Sequence, residues 1–290
     1  MTQRLPGLVV VGAPKSATTT LVHWFRAHPH LAVSERKELS FFDQHYERGL
    51  DWYRSQLPDD PGDRVVVEAT PAYLSEPGVA ERVAQDLPDA RFVALLREPA
   101  SRAWSNYWFF RMLGVESRPW GRALAASLDV PDPCDHKGYV WRGRYAEQLE
   151  RWESLVGRER LHVVLFDDVL QDPQGVYDGI CAFAGIPTRE LPGHESVNPT
   201  LRPRFARLQP YLRTESPNRV RRALFRWNAQ GGPVPGMTAA QSQLADARFG
   251  EPNARLEAWL GAPLPPTWGT AAGGVSSLAD TAPVGGSRRS

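Results

Sequence analysis

Lys15, Ser16, Thr18, Thr19 and Thr20 lie between an apolar run, Leu8-Val9-Val10-Val11, and an apolar-patterned segment containing Leu21, Val22, Trp24 and Phe25. Gly12, Ala13, Pro14 and Ala17 supply small residues in the same stretch. A β-branched strand, a turn of small residues and a helix N-terminus together hold a phosphate. The first helical turn has backbone N–H groups without partners and a partial positive charge, and small residues let an anion come close. Lys15 adds a full charge and the threonines add hydroxyl donors. The lysine precedes the helix instead of closing a Gly-Lys-Ser/Thr pattern, so the stretch is not a Walker A loop. Taken alone, it also fits an ordinary strand–turn–helix with an exposed lysine.

Two further places carry chemistry. Arg97 follows the apolar run Phe92-Val93-Ala94-Leu95-Leu96 directly, which puts it past the C-terminal end of a strand, where open α/β sheets bind ligands. Residues 33–43 mix charge and aromatic side chains more densely than a plain loop does, with Lys37 and Glu38 ahead of Leu39, Phe41 and Phe42. A carboxylate with such apolar neighbours is expected to be desolvated and its pKa raised toward neutrality, with Lys37 opposing the shift.

The elements that must position these residues alternate. Strands are expected at 8–11, 65–68, 91–96 and 161–166. Helices are expected at 18–28, 78–87, 100–113, 144–156, 173–184 and 239–260, with shorter ones at 49–57 and 121–128. Pro99 suits the first turn of its helix. This alternation predicts an α/β fold of three layers, a central parallel sheet flanked by helices. Residues 114–143 read as a long loop over the site. Residues 191–235 turn basic through Arg202, Arg204, Arg207, Arg213, Arg219, Arg221, Arg222 and Arg226, either as a solvated helical face or as an anion-facing lid.

Composition bounds the function. The chain has 290 residues and a net charge of +1, enough for one large domain, expected over 1–268, with a disordered tail at 269–290. Bulk charge gives no reason to expect nucleic acid or an acidic membrane as partner, so any anion site is local. Cys134 and Cys181 form neither a disulfide framework nor a zinc spacing, and His28, His30 and His45 have no metal-ligand spacing, so no metal is expected. Neither a signal-peptide layout nor a membrane-length apolar run is present in the sequence. The expectation is a soluble, cytoplasmic protein without a membrane anchor, and the Arg, Ala and Pro richness is that of a high-GC bacterium. Ten tryptophans suit large core anchors and hint at an aromatic acceptor cleft.

Three stretches in order resemble the sulfotransferases that use 3'-phosphoadenosine 5'-phosphosulfate. Ala13-Pro14-Lys15-Ser16-Ala17-Thr18-Thr19 is similar to that family's 5'-phosphosulfate loop, in which glycine is commoner at the place of Ala17. Leu96-Arg97-Glu98-Pro99-Ala100-Ser101-Arg102-Ala103-Trp104-Ser105 resembles its 3'-phosphate motif, an arginine at a strand end with a serine eight residues on. Lys37-Glu38-Leu39-Ser40-Phe41-Phe42-Asp43, followed by Glu68, Thr70, Pro71 and Tyr73, is most like the heparan sulfate sulfotransferase branch and its bacterial relatives. The branch usually has a lysine at the place of Ala69 and a paired-cysteine segment that is missing here.

The resemblance implies a sulfuryl transferase with a small-molecule or glycan acceptor. Lys15, Ser16, Ala17, Thr18 and Thr19 would hold the 5'-phosphosulfate, Arg97 and Ser105 the 3'-phosphate, and Lys15 would stabilise the leaving oxygen. Glu38 would be the general base. Glu68 and Tyr73 are read as shaping the acceptor pocket or as sheet-end packing, Tyr145 as core, and Arg102 as a helix-surface or pairing arginine. Asn198, Arg202 and Arg204 fall where the family closes a loop over the nucleotide. The competing readings are a P-loop kinase or NTPase, prompted also by Val163-Val164-Leu165-Phe166-Asp167-Asp168, and an inactive nucleotide-binding protein on the same fold.

Overall fold

The computed structural model describes residues 5–131, 137–191, 201–213 and 219–269. Five parallel strands, β1 (Leu8–Gly12), β2 (Leu31–Val33), β3 (Val65–Ala69), β4 (Arg91–Leu96) and β5 (Leu161–Leu165), form one sheet in the order β2-β3-β1-β4-β5. The two central strands separate their side chains cleanly. Val9 and Val11 of β1, with Phe92, Ala94 and Leu96 of β4, enter one core. Leu8, Val10, Val93 and Leu95 enter the other. Burial on both faces is why these strands read as continuous apolar runs in the sequence.

Helices cover both faces. On one lie α1 (Thr18–Arg26), α8 (Phe166–Gln171) and α9 (Pro173–Ala184). On the other lie α2 (Phe41–Gln44), α3 (Gly49–Arg54), α4 (Val79–Asp86), α7 (Tyr145–Val156) and the end of α12 (Ala239–Leu260). A third core joins α5 (Pro99–Met112), α6 (Trp120–Ala125), Tyr139 and Val140 to the start of α12. The short α10 (Gln209–Leu212) and α11 (Arg219–Ala229) pack on each other. This is the expected three-layer arrangement.

Several tryptophans are core anchors: Trp152 is fully buried, and Trp24, Trp104, Trp120 and Trp141 nearly so. Several elements were not expected from the sequence, among them β2 and α8. The edge strand β2 has only three residues, too few for a period to register, and its pairing with β3 defines it. Helix α8 follows β5 without a glycine or proline between them, so nothing in the sequence announces the switch. Asp167, the apparent Walker B acid, accepts from Thr267 Oγ1 at 3.1 Å and Trp268 Nε1 at 3.0 Å. It ties down the chain near residue 268. Asn198 and residues 270–290 lie outside the described residues.

Candidate active site

Because all five strands run parallel, their C-terminal ends share one edge of the sheet. Val10 of β1 is paired with Ala69 of β3 and Val93 of β4. The lysine loop, the segment around Glu38, the Thr70–Tyr73 turn and Arg97 therefore leave the sheet side by side. Topology alone gathers them.

The lysine loop is a left-handed turn. Lys15 has φ 71° and Ala17 has φ 64°, a conformation that favours glycine, which gives a physical reason why glycine is commoner at Ala17's place. Ala17 is the N-cap of α1 and no side chain caps the helix. Gly12 is needed for another reason: a Cβ there would stand 2.5 Å from Leu74 Cβ. Thr18 is buried, and Ser16 is fully buried with its Oγ lacking a hydrogen-bond partner among the described residues.

Cations converge on this turn. Arg97 donates from Nη1 to the Lys15 carbonyl at 3.2 Å and lies over the Phe166 ring. The Arg97 carbonyl is held by the Tyr145 hydroxyl at 2.8 Å, so the buried Tyr145 fixes the end of β4. Lys37 Nζ donates to Thr19 Oγ1 at 2.5 Å and stands 3.4 Å from Glu38 Oε1. Lys15 Nζ sits 4.4 Å from the centre of the Phe109 ring. Burial first, then the charges of Arg97 and Lys37, lower the Lys15 pKa to about 8, with Glu38 opposing. Burial likewise lowers that of Arg97. At Lys15 the two cations Arg97 and Lys37 act against the single carboxylate Glu38, which makes a site prepared for an anion.

Glu98 caps α5, accepting from the backbone of Ala100 at 2.8 Å and Ser101 at 2.5 Å. Ser105 lies two turns further on, buried. Arg102, one turn before Ser105, corrects the expectation of a helix-surface arginine. It is fully buried and donates from Nη2 to the carbonyls of Gly138 and Tyr139 at 3.1 and 2.7 Å, bracing the 137–143 segment against α5. Burial pulls its pKa down to about 10.

The Glu38 segment hangs on a buried carboxylate. Glu68, fully buried at the end of β3, accepts from Thr70 Oγ1 at 2.5 Å and Tyr53 Oη at 3.0 Å, and the Tyr73 hydroxyl is a third donor. Those hydroxyls face the other way as acceptors. Tyr73 Oη receives the N–H groups of Phe41 at 2.9 Å and Phe42 at 3.3 Å, and Thr70 Oγ1 receives that of Ser40 at 3.3 Å. Glu38 N donates to the Ala69 carbonyl at 3.0 Å. Glu38 and Ser40 are both left-handed, at φ 61° and 53°. Burial raises the Glu68 pKa to about 7 against the pull of its three donors.

Phe41, Phe42 and Leu39 point into the core, while the Glu38 side chain is 55 % exposed. The expected desolvation of Glu38 is thus overturned: its apolar neighbours face away from it. Sequence reasoning also passed over Lys37 as a site cation; its adjacency to Glu38 was the available signal. Arg202 and Arg204 bond within their own segment, to Gly232 and Trp227. His28 bonds to the Pro187 carbonyl at 2.9 Å. No group of His, Cys, Asp and Glu able to hold a metal ion occurs among the described residues.

The model of the sulfotransferase family matches residues 51–190, a span that includes Arg97 and Ser105 but neither Lys15 nor Glu38. A crystal structure of a sulfotransferase from Alicyclobacillus acidocaldarius superposes with a TM-score of 0.66 at 25 % identity, over 90 % of this chain and 98 % of that one. Residues 51–190 are thus similar to the sulfotransferase family. Its curated relatives include human heparan sulfate glucosamine 3-O-sulfotransferase 6, 30 % identical over 185 residues, 63 % of this chain and 53 % of the relative. The bifunctional heparan sulfate N-deacetylase/N-sulfotransferase 1 of Caenorhabditis briggsae is 25 % identical over 214 residues, 68 % of this chain and 24 % of the relative. The chain spans about half the length, or less, of these curated family members.

Proposed function

We propose that the protein transfers the sulfuryl group of 3'-phosphoadenosine 5'-phosphosulfate to a hydroxyl or amine of a carbohydrate, glycolipid or secondary-metabolite acceptor. The observation that carries the reading is the meeting of Lys15, Arg97 and Lys37 on the turn at the start of α1, where no side chain caps the helix and the buried Ser16 hydroxyl has no partner among the described residues. Polyanion recognition is what such a site offers. Placement of Arg97 and Ser105 within the span matched by the family model supports a nucleotide with a second phosphate.

The donor supplies an activated sulfuryl group and an anionic leaving phosphate. The rest is done by the chain. Loop N–H groups, Ser16, Thr18 and Thr19 would hold the 5'-phosphate, and Ala17 lets the backbone come close. Arg97 would grip the 3'-phosphate by a charge-assisted fork, with Ser105 adding one hydroxyl bond. Lys15, protonated at neutral pH, would neutralise the charge that grows on the bridging oxygen as its bond to sulfur breaks. Glu38 would take the proton from the acceptor as the new bond to sulfur forms. Its exposure suits that role, since an acceptor must reach it, and the Glu68 hub keeps its backbone fixed.

The same reading takes 1–268 as one catalytic domain. A bacterial, cytoplasmic setting belongs to this reading, supported by the composition and by a buried free thiol at Cys181. Among the described residues no helix is long and apolar enough to cross a membrane. The kinase reading is not favoured, since Asp167 is engaged by Thr267 and Trp268.

Titration calorimetry with adenosine 3',5'-bisphosphate tests the donor site, with ADP and magnesium-ATP as comparisons. Tight, metal-independent binding that is lost without the 3'-phosphate is expected. Preference for magnesium-ATP would overturn the reading. Transfer of labelled sulfate from the donor across a panel of glycan and metabolite hydroxyls and amines then identifies the acceptor.

A further inference from the structure

The net charge of +1 conceals an uneven distribution. Residues 201–229 hold eight arginines and a single acid, Glu215. The same stretch exposes Phe205, Leu208, Tyr211, Val220, Leu224 and Trp227, each between 41 % and 75 % accessible. These are more than half of the exposed large apolar side chains among the described residues. Scattered apolar residues need no explanation, whereas a cluster with one sign of charge does.

Helix α11 shows how the cluster is built. At 100° per residue, positions 221, 225 and 228 share one stripe, 220, 224 and 227 a second, and 219, 222 and 226 a third. The first stripe faces the protein. Asn228 is buried and bonds to Gln209 Oε1 at 2.6 Å and to the Phe205 backbone, and Gln209 donates to the Met112 carbonyl at 2.6 Å, at the end of α5. The second is apolar and exposed: Val220, Leu224 and Trp227, with Phe205 beside Trp227 at 6.1 Å between ring centres. The third is all arginine. A helix fixed along one stripe, with an exposed apolar stripe and a cationic one beside it, has the distribution of a helix that lies in a membrane interface.

We propose that α11 and the adjoining Phe205 form a docking surface for an anionic lipid bilayer. Val220, Leu224 and Trp227 would enter the boundary between headgroups and acyl chains, and the flanking arginines would pair with lipid phosphates. Charge decides the occupant. A second copy of the chain would bring one arginine-rich face against another, so self-pairing through this patch is opposed by like charge. The surface stands independently of what the cleft transfers.

The test is co-sedimentation of the full chain with phosphatidylcholine vesicles, with and without phosphatidylglycerol. Saturating adenosine 3',5'-bisphosphate is added so that the Lys15 site is occupied. Partition about tenfold or more in favour of the anionic vesicles is expected, weakening as salt is raised. Val220→Glu/Leu224→Glu should remove at least about tenfold of it. So should Arg219→Glu/Arg226→Glu, with thermal melting unchanged in both because all four side chains are exposed. Three results would overturn the proposal. They are equal partition onto both kinds of vesicle, loss of binding when the bisphosphate is added, and a dimer of the free protein that Val220→Glu/Leu224→Glu dissolves without any vesicle binding.

Discussion

If Lys15 contacts the donor as a cation, donor affinity must follow its protonation. Its pKa is about 8, against 10.5 for an ordinary lysine. The shift corresponds to roughly 3 kcal/mol by which the ammonium is disfavoured in the ion-free site, and a bound anion offsets that. Between pH 8 and 10.5 the unfolded chain holds more protons at this position than the folded one, so the ion-free protein gains stability from Lys15 as pH rises through that window. Donor affinity moves the opposite way. At pH 7 Lys15 is mostly protonated; at pH 9 only about a tenth of it is, and affinity for adenosine 3',5'-bisphosphate should be about tenfold weaker. The ligand's own phosphates have their second pKa near 6, are about nine-tenths ionised by pH 7 and contribute little to the slope above it. Calorimetry in buffers of different ionisation heat reads the same event directly, as about half a proton taken up per ligand bound at pH 8. Lys15→Arg stays charged throughout and should abolish both the slope and the uptake. Wild-type affinity that is flat from pH 7 to 9.5, or an unchanged slope in Lys15→Arg, would refute the reasoning.

Glu38→Gln should lower kcat by about a hundredfold or more while leaving calorimetric affinity for adenosine 3',5'-bisphosphate unchanged; near-normal turnover would remove Glu38 as the base. Arg97→Ala should weaken the bisphosphate far more than ADP, as measured in paired titrations, if its main ligand is the 3'-phosphate as proposed, with a smaller loss common to both nucleotides from the freed Lys15 carbonyl. Gly12→Ala should destabilise by about 1–3 kcal/mol in urea unfolding, because Leu74 stands where the new methyl must go. Glu68→Ala strips the shared acceptor from Tyr53, Thr70 and Tyr73. It should cost roughly 3 kcal/mol in the same assay and reduce turnover in the surviving folded protein.

The parts of this molecule legible in its sequence are those where one physical cause acts alone. β4 and α12 have the bounds their patterns predict. The first is a run buried on both faces; the second begins at a capping box on Thr238 and Gln241 and ends at Gly261. The loop around Lys15 and the placement of Arg97 were legible because a strand end and a helix start are local events. What escaped depends on the opposite side of the fold. Glu68 read equally well as packing, because only the arrival of Tyr53 from α3 and of Tyr73 from the next turn shows it to be a hub. Arg102 read as a helix-surface or pairing arginine, because the carbonyls of Gly138 and Tyr139 that it pairs with in the interior come from far along the chain. The apolar neighbours of Glu38 suggested desolvation, but two left-handed residues, Glu38 and Ser40, turn the carboxylate out while Leu39, Phe41 and Phe42 turn in.

The hub at Glu68 also sets a rule for anyone redesigning this protein. The 37–43 segment carries Glu38, the proposed base, yet the groups that receive its backbone N–H bonds belong to residues 69–73 and the carboxylate that steadies them is Glu68. A chimera that imports a new 37–43 segment and leaves Glu68, Thr70 and Tyr73 mismatched would carry the right residues on a loosened frame. The transferable cassette is the pair of segments together, with Tyr53 as its third anchor, and recombination breakpoints belong outside residues 37–73.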